Sequence, residues 1–127
     1  CLLGAKGDIL LCEQIRDAIQ DKQVDILAGQ LSFLESAALM QHATMNFVND
    51  SAPLHFASAV NAPVCAVYCS TVPAFGFGPL SDVSFVVETH HDLDCRPCGL
   101  HGKAACPKGH FRCSDIKVET ILAQVKL

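Results

Sequence analysis

The sequence predicts an α/β fold, a Rossmann-like, mostly parallel sheet in three layers. Three observations carry this: five short apolar runs alternate with helix-patterned stretches, turn and cap residues punctuate the joins, and half of the 127 residues are apolar. A chain of that length and apolar content can build one compact domain with a real core, and leaves no room for a second.

The elements follow in order. Residues 2–3 read as the end of a strand running into a turn at Gly4. A helix is expected over about 8–21, with Ile9, Cys12, Ile15 and Ile19 on one face, and then an extended run over 24–27. Ser32-Phe33-Leu34-Glu35 has the form of a capping box, in which serine and glutamate satisfy each other's backbone amides. The helix it opens should pack Leu34, Ala37, Ala38 and Met40 on a sheet, with His42 near its end against the last carbonyls. Residues 45–48 form the next strand, and Pro53 begins a helix reaching residue 60, with Asp50 and Ser51 as cap residues. Asn61-Ala62-Pro63 stops it. Buried strands follow at 64–68 and 84–87, and a closing helix from 114 onward sets Val118, Ile121, Leu122 and Val125 on one face. The chain opens at Cys1 inside what reads as a strand end, so it is expected to be a piece of a longer protein.

The formal charge of −4 and the scattered lysines give no basic stripe for nucleic acid. No apolar run approaches the roughly 20 residues that span a bilayer, and no charged-then-apolar leader opens the chain, so no transmembrane segment is expected.

In open parallel sheets ligands bind beyond the carboxyl ends of the strands, where the loops at 4–8, 49–55 and 69–79 should meet. The second of these, Asn49-Asp50-Ser51-Ala52-Pro53-Leu54-His55, joins a strand to a helix start. The first-turn amides carry the positive end of the helix dipole and suit a diphosphate, although simple helix capping by Asp50 and Ser51 is the competing reading. His55, one turn in, can hydrogen-bond a phosphate oxygen or sugar hydroxyl, or serve as a buried structural histidine. The third loop offers hydroxyls at Ser70 and Thr71, which are equally ordinary turn residues. Its Gly76-Phe77-Gly78 does not directly follow a strand and open a helix, so the dinucleotide fingerprint is not met.

Four of eight cysteines cluster as Cys95-x-x-Cys98, Cys106 and Cys113 in a glycine- and proline-broken stretch. Such spacing can hold a tetrahedral structural zinc, with His101 and His110 as substitute ligands, or close two disulfides, or leave free thiols. Nothing beside these cysteines identifies a base that would make one a nucleophile. Cys12, Cys65 and Cys69 sit in apolar patterns and read as small core residues.

Taken together, Gly4-Ala5-Lys6-Gly7-Asp8, Leu27-Ala28-Gly29-Gln30-Leu31-Ser32, the stretch from Asn49 to Ala59, and Ala62-Pro63-Val64 leading to Ser70-Thr71-Val72-Pro73 resemble the carboxy-terminal, donor-binding domain of the lipopolysaccharide heptosyltransferases, glycosyltransferase family 9. The cysteine-rich loop at 95–113 also resembles members of that family. The resemblance implies the GT-B architecture of two facing Rossmann-like halves, of which residues 1–127 are the half that binds a nucleotide-diphosphate sugar. It implies metal-independent, inverting transfer, with ADP-heptose as the leading donor and lipopolysaccharide core as acceptor. The catalytic base would lie in the amino-terminal half, so no catalytic residue is expected here and the isolated domain should bind without catalysing. Residence would be cytoplasmic, or peripheral at the inner face of the inner membrane.

By position in the motif, Asp50, Ser51, Ala52 and His55 would contact diphosphate and sugar, joined by Ser70 and Thr71 from the third loop. Gly29, Gln30 and Leu31 would line the base pocket, and Asp8, or else Lys6, would contact the ribose. The family pattern usually has glycine where this chain has Ala52, which matters if that position needs a positive φ or a close phosphate. Two other readings remain at this point. One is a non-catalytic, nucleotide-sugar-like or protein-interaction module docking through the cysteine-rich loop; the other is a nucleotide-sugar epimerase, whose motifs are not apparent.

Overall fold

The computed structural model describes residues 1–19 and 23–124. Two compact units divide the chain, Cys1–Ser36 and Ala37–Leu127. Asp21 and Val125, expected in the first and last helices, lie outside the described residues.

In the amino-terminal unit the two extended runs pair through one parallel bridge, Leu2 to Ile26. Backbone bonds from Leu2 N to Asp25 O (2.8 Å), Leu27 N to Leu2 O (2.9 Å) and Gly29 N to Gly4 O (2.8 Å) hold it. The sequence suggested strands here. The pairing runs on to the Gly29–Gly4 bond and stops there, where Gly29 turns left-handed (φ 71°). A 3-10 turn at Lys6–Asp8 leads into helix α1 (Ile9–Ile19). Of the expected apolar face only Cys12 is buried, while Ile9, Ile15 and Ile19 remain well exposed.

The capping box forms as read. Ser32 N donates to Glu35 Oε2 (2.7 Å), and Glu35 N donates to Ser32 Oγ (3.3 Å). These bonds hold Glu35's carboxyl below its usual range. Helix α2 (Phe33–Gln41) starts there and buries Ala37 and Met40, one turn apart on one face. Ala38 is a quarter-turn round from Ala37 and is exposed, and Leu34, held in the solvent-facing first turn by the capping box, is 84% exposed. Neither packs on a sheet as expected.

The carboxy-terminal unit holds three parallel strands in sequential order, β1 (Asn46–Asn49), β2 (Val64–Tyr68) and β3 (Ser84–Glu88). Register runs Val48 to Ala66 and Ala66 to Val86. Central β2 supplies the core: Val64, Cys65, Ala66 and Tyr68 are fully buried. A continuous apolar run is what a strand flanked on both sides and covered on both faces requires. Helix α3 (Ala52–Ala59) makes the crossover from β1 to β2 and buries Leu54 and Ala57 completely. Val60 N returns to Phe56 O and Asn61 takes a left-handed φ of 53° before Pro63, so the helix stops where the sequence says it should.

Beyond β3 the backbone is irregular apart from a 3-10 turn at Arg112–Ser114, and it closes in helix α4 (Val118–Gln124). Ile121 packs with Ile116, Phe85 and Val67 around buried Cys65 and Val87. Val118 and Leu122, expected on the same face, are more than half exposed. Five expected strands thus resolve, among the described residues, into three strands and one bridge in a parallel α/β architecture. No helix of the described residues is long and apolar enough to cross a membrane.

Candidate functional site

Strand β1 ends at Asn49 and delivers Asp50 and Ser51 to the start of α3. Ser51 occupies the N-cap in extended geometry (φ −159°, ψ 178°), yet neither expected cap is made by a side chain. Its hydroxyl donates instead to Asn49 O (3.4 Å), and Asp50 accepts from Thr71, Oγ1 to Oδ2, at 2.5 Å. Among the described residues, no side-chain oxygen caps these first-turn amides against an external anion. Ala52 is the first helical residue and lies outside the positive-φ region, so its methyl introduces no backbone strain.

His55 is exposed rather than buried and presents its ring edge-on to Phe77, with centroids 6.2 Å apart at 75°. Helical spacing sets it on the face of α3 that carries Ala52. The loop at 69–79 thus meets the β1–α3 junction through Thr71 and Asp50, and α3 itself through Phe77 and His55. Its conformation is built from within: Pro73–Phe75 form a 3-10 turn ended by Gly76 at φ 93°, a left-handed stop suited to glycine.

Two anchors hold this loop, and neither was singled out in the sequence. Tyr68, fully buried at the end of β2, donates its hydroxyl to Phe77 O (2.8 Å). Burial, reinforced by the charges of Asp50 and Glu88, pushes its phenol up to about 12. Arg96 is the second. Its Nε donates to Cys69 O (2.7 Å) and its Nη2 to Thr71 O (2.8 Å), while the guanidinium pairs with Glu88 beside Tyr68 in the β2–β3 register. A tyrosine ending an apolar run was a legible signal. Arg96 was not, since its partners are backbone carbonyls 25 and 27 residues away.

Ser70 faces another direction. Its carbonyl accepts from Cys98 N (2.8 Å), and Gly102 approaches so closely that a Cβ there would stand 2.6 Å from Ser70 Oγ. The hydroxyl therefore abuts the cysteine-rich segment.

The nucleotide-contacting candidates lie in the amino-terminal unit, where the structure brings their two loops together. A Cβ on Gly29 would come within 2.8 Å of Lys6 Cγ, so this glycine permits the close approach. Asp8 turns its carboxylate back on its own turn, accepting from Ala5 N at 2.8 Å. Gln30 donates through Nε2 to Ile26 O (2.8 Å), and Leu31 is half-buried.

No disulfide joins any of the eight cysteines in this structure. Cys65 and Cys12 are buried as expected, whereas Cys69 is only half-buried, with its sulfur 3.5 Å from that of buried Cys113. Burial, then the bond to Cys113, pushes the Cys69 thiol up to about 11. The Cys106 thiol is held low, chiefly by the Phe111 amide. His90, His91 and Asp115 bring three potential metal donors within 4.8 Å of one another. His91 is already engaged there, Nε2 with Asp115 Oδ2 (2.6 Å) and Nδ1 with Arg112 (2.9 Å), so this is a hydrogen-bonded network with a competing cation built in.

The model of "Glycosyltransferase family 9 (heptosyltransferase)" matches residues 1–105. Lipopolysaccharide heptosyltransferase 3 of Escherichia coli is 38% identical over 66 residues, covering 52% of this chain and 19% of that protein. Lipooligosaccharide heptosyltransferase 2 of Haemophilus influenzae is 34% identical over 89 residues, covering 68% and 25%. The solved structure of the E. coli ADP-heptose lipopolysaccharide heptosyltransferase II superimposes with a TM-score of 0.65 at 26% identity, covering 76% of this chain and 32% of that one. The chain spans about a fifth to a quarter of the length of these two curated relatives. With most of its length inside the family model and the parallel α/β fold shared, this chain belongs to glycosyltransferase family 9, the heptosyltransferases.

Proposed function

We propose that this chain is the donor-binding domain of a glycosyltransferase that moves heptose from an ADP-linked donor onto a lipopolysaccharide core acceptor with inversion. The observation that carries this reading is the uncapped start of α3 closed on one side by the Asp50–Thr71 bond. A diphosphate seated there receives the amides of Ser51 and Ala52 and the helix dipole, with His55 one turn on for a phosphate oxygen or a sugar hydroxyl. The same groups stabilise the charge that grows on the leaving diphosphate, so the chemistry needs no metal for charge neutralisation. By the motif match, Gly29, Gln30 and Leu31 line the base pocket in this reading, and Asp8, or else Lys6, contacts the ribose; the bond from Ala5 N occupies one of Asp8's carboxylate oxygens and leaves the other for a hydroxyl.

A carboxylate of the facing domain acts as general base on the acceptor hydroxyl. A cytosolic donor calls for an enzyme resident in the cytoplasm, or peripheral at the inner face of the inner membrane. The test is a transfer assay with the full-length protein, core oligosaccharide as acceptor, and ADP-heptose against UDP- and GDP-linked sugars. Transfer from ADP-heptose alone, cut roughly 10-fold or more by Thr71→Val through loss of a charge-assisted bond, supports the reading. Turnover of another donor renames the substrate, and absence of transfer from all three overturns the assignment.

A further inference from the structure

Between β3 and α4 the chain runs through a segment that has no apolar core of its own. From residue 90 to 117 the one buried side chain is Cys113, while the large apolar side chains Leu100 and Phe111 are exposed. Cys95, Cys98 and Cys106 are half-buried. The cysteines, in other words, stand where a core would be.

They also line two hollows that share Cys98, Cys106 and Lys103. Cys95, Cys98 and Cys106 line a concavity of about 350 Å³, and Cys98, Cys106 and Cys113 line the smaller hollow beside it. We propose that Cys95, Cys98, Cys106 and Cys113 are the four ligands of one tetrahedral, thiophilic divalent cation of the zinc class, which acts as the core of this segment.

Two of the four sulfurs accept hydrogen bonds of the kind that support a thiolate, while Cys98 Sγ, still a thiol without the ion, donates to Cys95 O (3.3 Å) and gives up that proton on binding. Phe111 N donates to Cys106 Sγ (3.3 Å) and Cys69 Sγ donates to Cys113 Sγ (3.5 Å). His110 completes the pattern. Its Nδ1 accepts from Arg112 N (3.0 Å), which leaves the ring proton on Nε2, 3.7 Å from Cys95 Sγ. In that tautomer Nε2 has no lone pair for a metal, so His110 is a donor to the Cys95 sulfur and Cys113 is the fourth ligand. The sulfurs stand wider apart than the ligands of one ion; among the described residues the only donor triad within 4.8 Å is His90, His91 and Asp115. Binding therefore draws the four sulfurs together.

The ion would also buttress the neighbouring loop, because Cys98 N bonds to Ser70 O and Arg96 to Cys69 O and Thr71 O. That consequence rests on the function proposed above; the metal site itself does not.

The test is metal analysis by mass spectrometry of the full-length protein purified under reducing conditions, followed by replacement with Co(II). One zinc per chain is expected, with thiolate-to-cobalt charge transfer and the visible bands of a tetrahedral centre. Cys106→Ser should abolish stoichiometric metal, and His110→Ala should keep it while weakening affinity about 10- to 100-fold. The result that overturns the proposal is metal-free wild-type protein that takes up neither zinc nor cobalt, whether its thiols are all reactive or its mass is lower by two hydrogens per disulfide. Since no nucleotide is involved, this outcome is independent of whether the donor site is real.

Discussion

The sheet and the segment that follows it order their backbones by opposite means. Strands β1 to β3 with α3 rely on burial: Leu54, Val64, Cys65 and Tyr68 are wholly removed from solvent. Residues 90–117 bury one side chain and rely on long-range polar bonds, Cys98 N to Ser70 O and the three interactions of Arg96. The seam between the two regions is the loop at 69–71, which carries Thr71 to Asp50. A site framed this way has one rigid wall, α3, and one wall whose order depends on a distant and less stable segment.

The largest expected effect lies in the apolar region. Leu54→Ala should cost about 2–5 kcal/mol in urea denaturation, since α3 cannot collapse onto the cavity without leaving the sheet. Smaller, and informative about the seam, is Tyr68→Phe. It strands the Phe77 carbonyl and should cost about 1–3 kcal/mol, with faster hydrogen exchange confined to residues 73–79. A uniform loss of protection would instead mean that loop and sheet are one cooperative unit.

Arg96→Ala removes the charge partner of Glu88 and the donors to two carbonyls. We expect exchange to accelerate at 69–71 and 95–98 together while β1 and β2 keep their protection. Acceleration in only one of the two stretches would show that Arg96 does not couple them.

The smallest effect is at the capping box of α2. Glu35's folded-state pKa is lowered from the ordinary 4.5 by its bonds to Ser32, so its contribution to the helix is fully present above that value and is lost as pH falls through the lowered one. Glu35→Gln should flatten this acid limb of a circular-dichroism titration, and an unchanged limb would assign it to other carboxylates.

What was legible in the sequence tracks the same division. Buried strands and helix caps are local and periodic, so β2, β3, α3 and the Ser32–Glu35 box stood close to their observed bounds. Residues 2–3 and 24–27 meet in one bridge and not a ladder; the turn at Gly4 was legible, whereas the left-handed Gly29 that closes the second run was not. Asp50 and Ser51 read as caps because propensity is local, whereas the true partner of Asp50 is Thr71, 21 residues on. Arg96 was invisible for the same reason. The cysteine spacing, by contrast, was plain, and the structure adds the groups that face the sulfurs of Cys95, Cys106 and Cys113.

The most direct measurement is calorimetric titration of the full-length protein with ADP, UDP and GDP, repeated on Asp50→Asn and His55→Ala. The account predicts selective binding of one nucleoside diphosphate, weakened about 10-fold or more by each change. A folded protein that binds none of the three, or binds one with affinity untouched by either change, would contradict it and favour a non-catalytic module docking through the cysteine-rich loop.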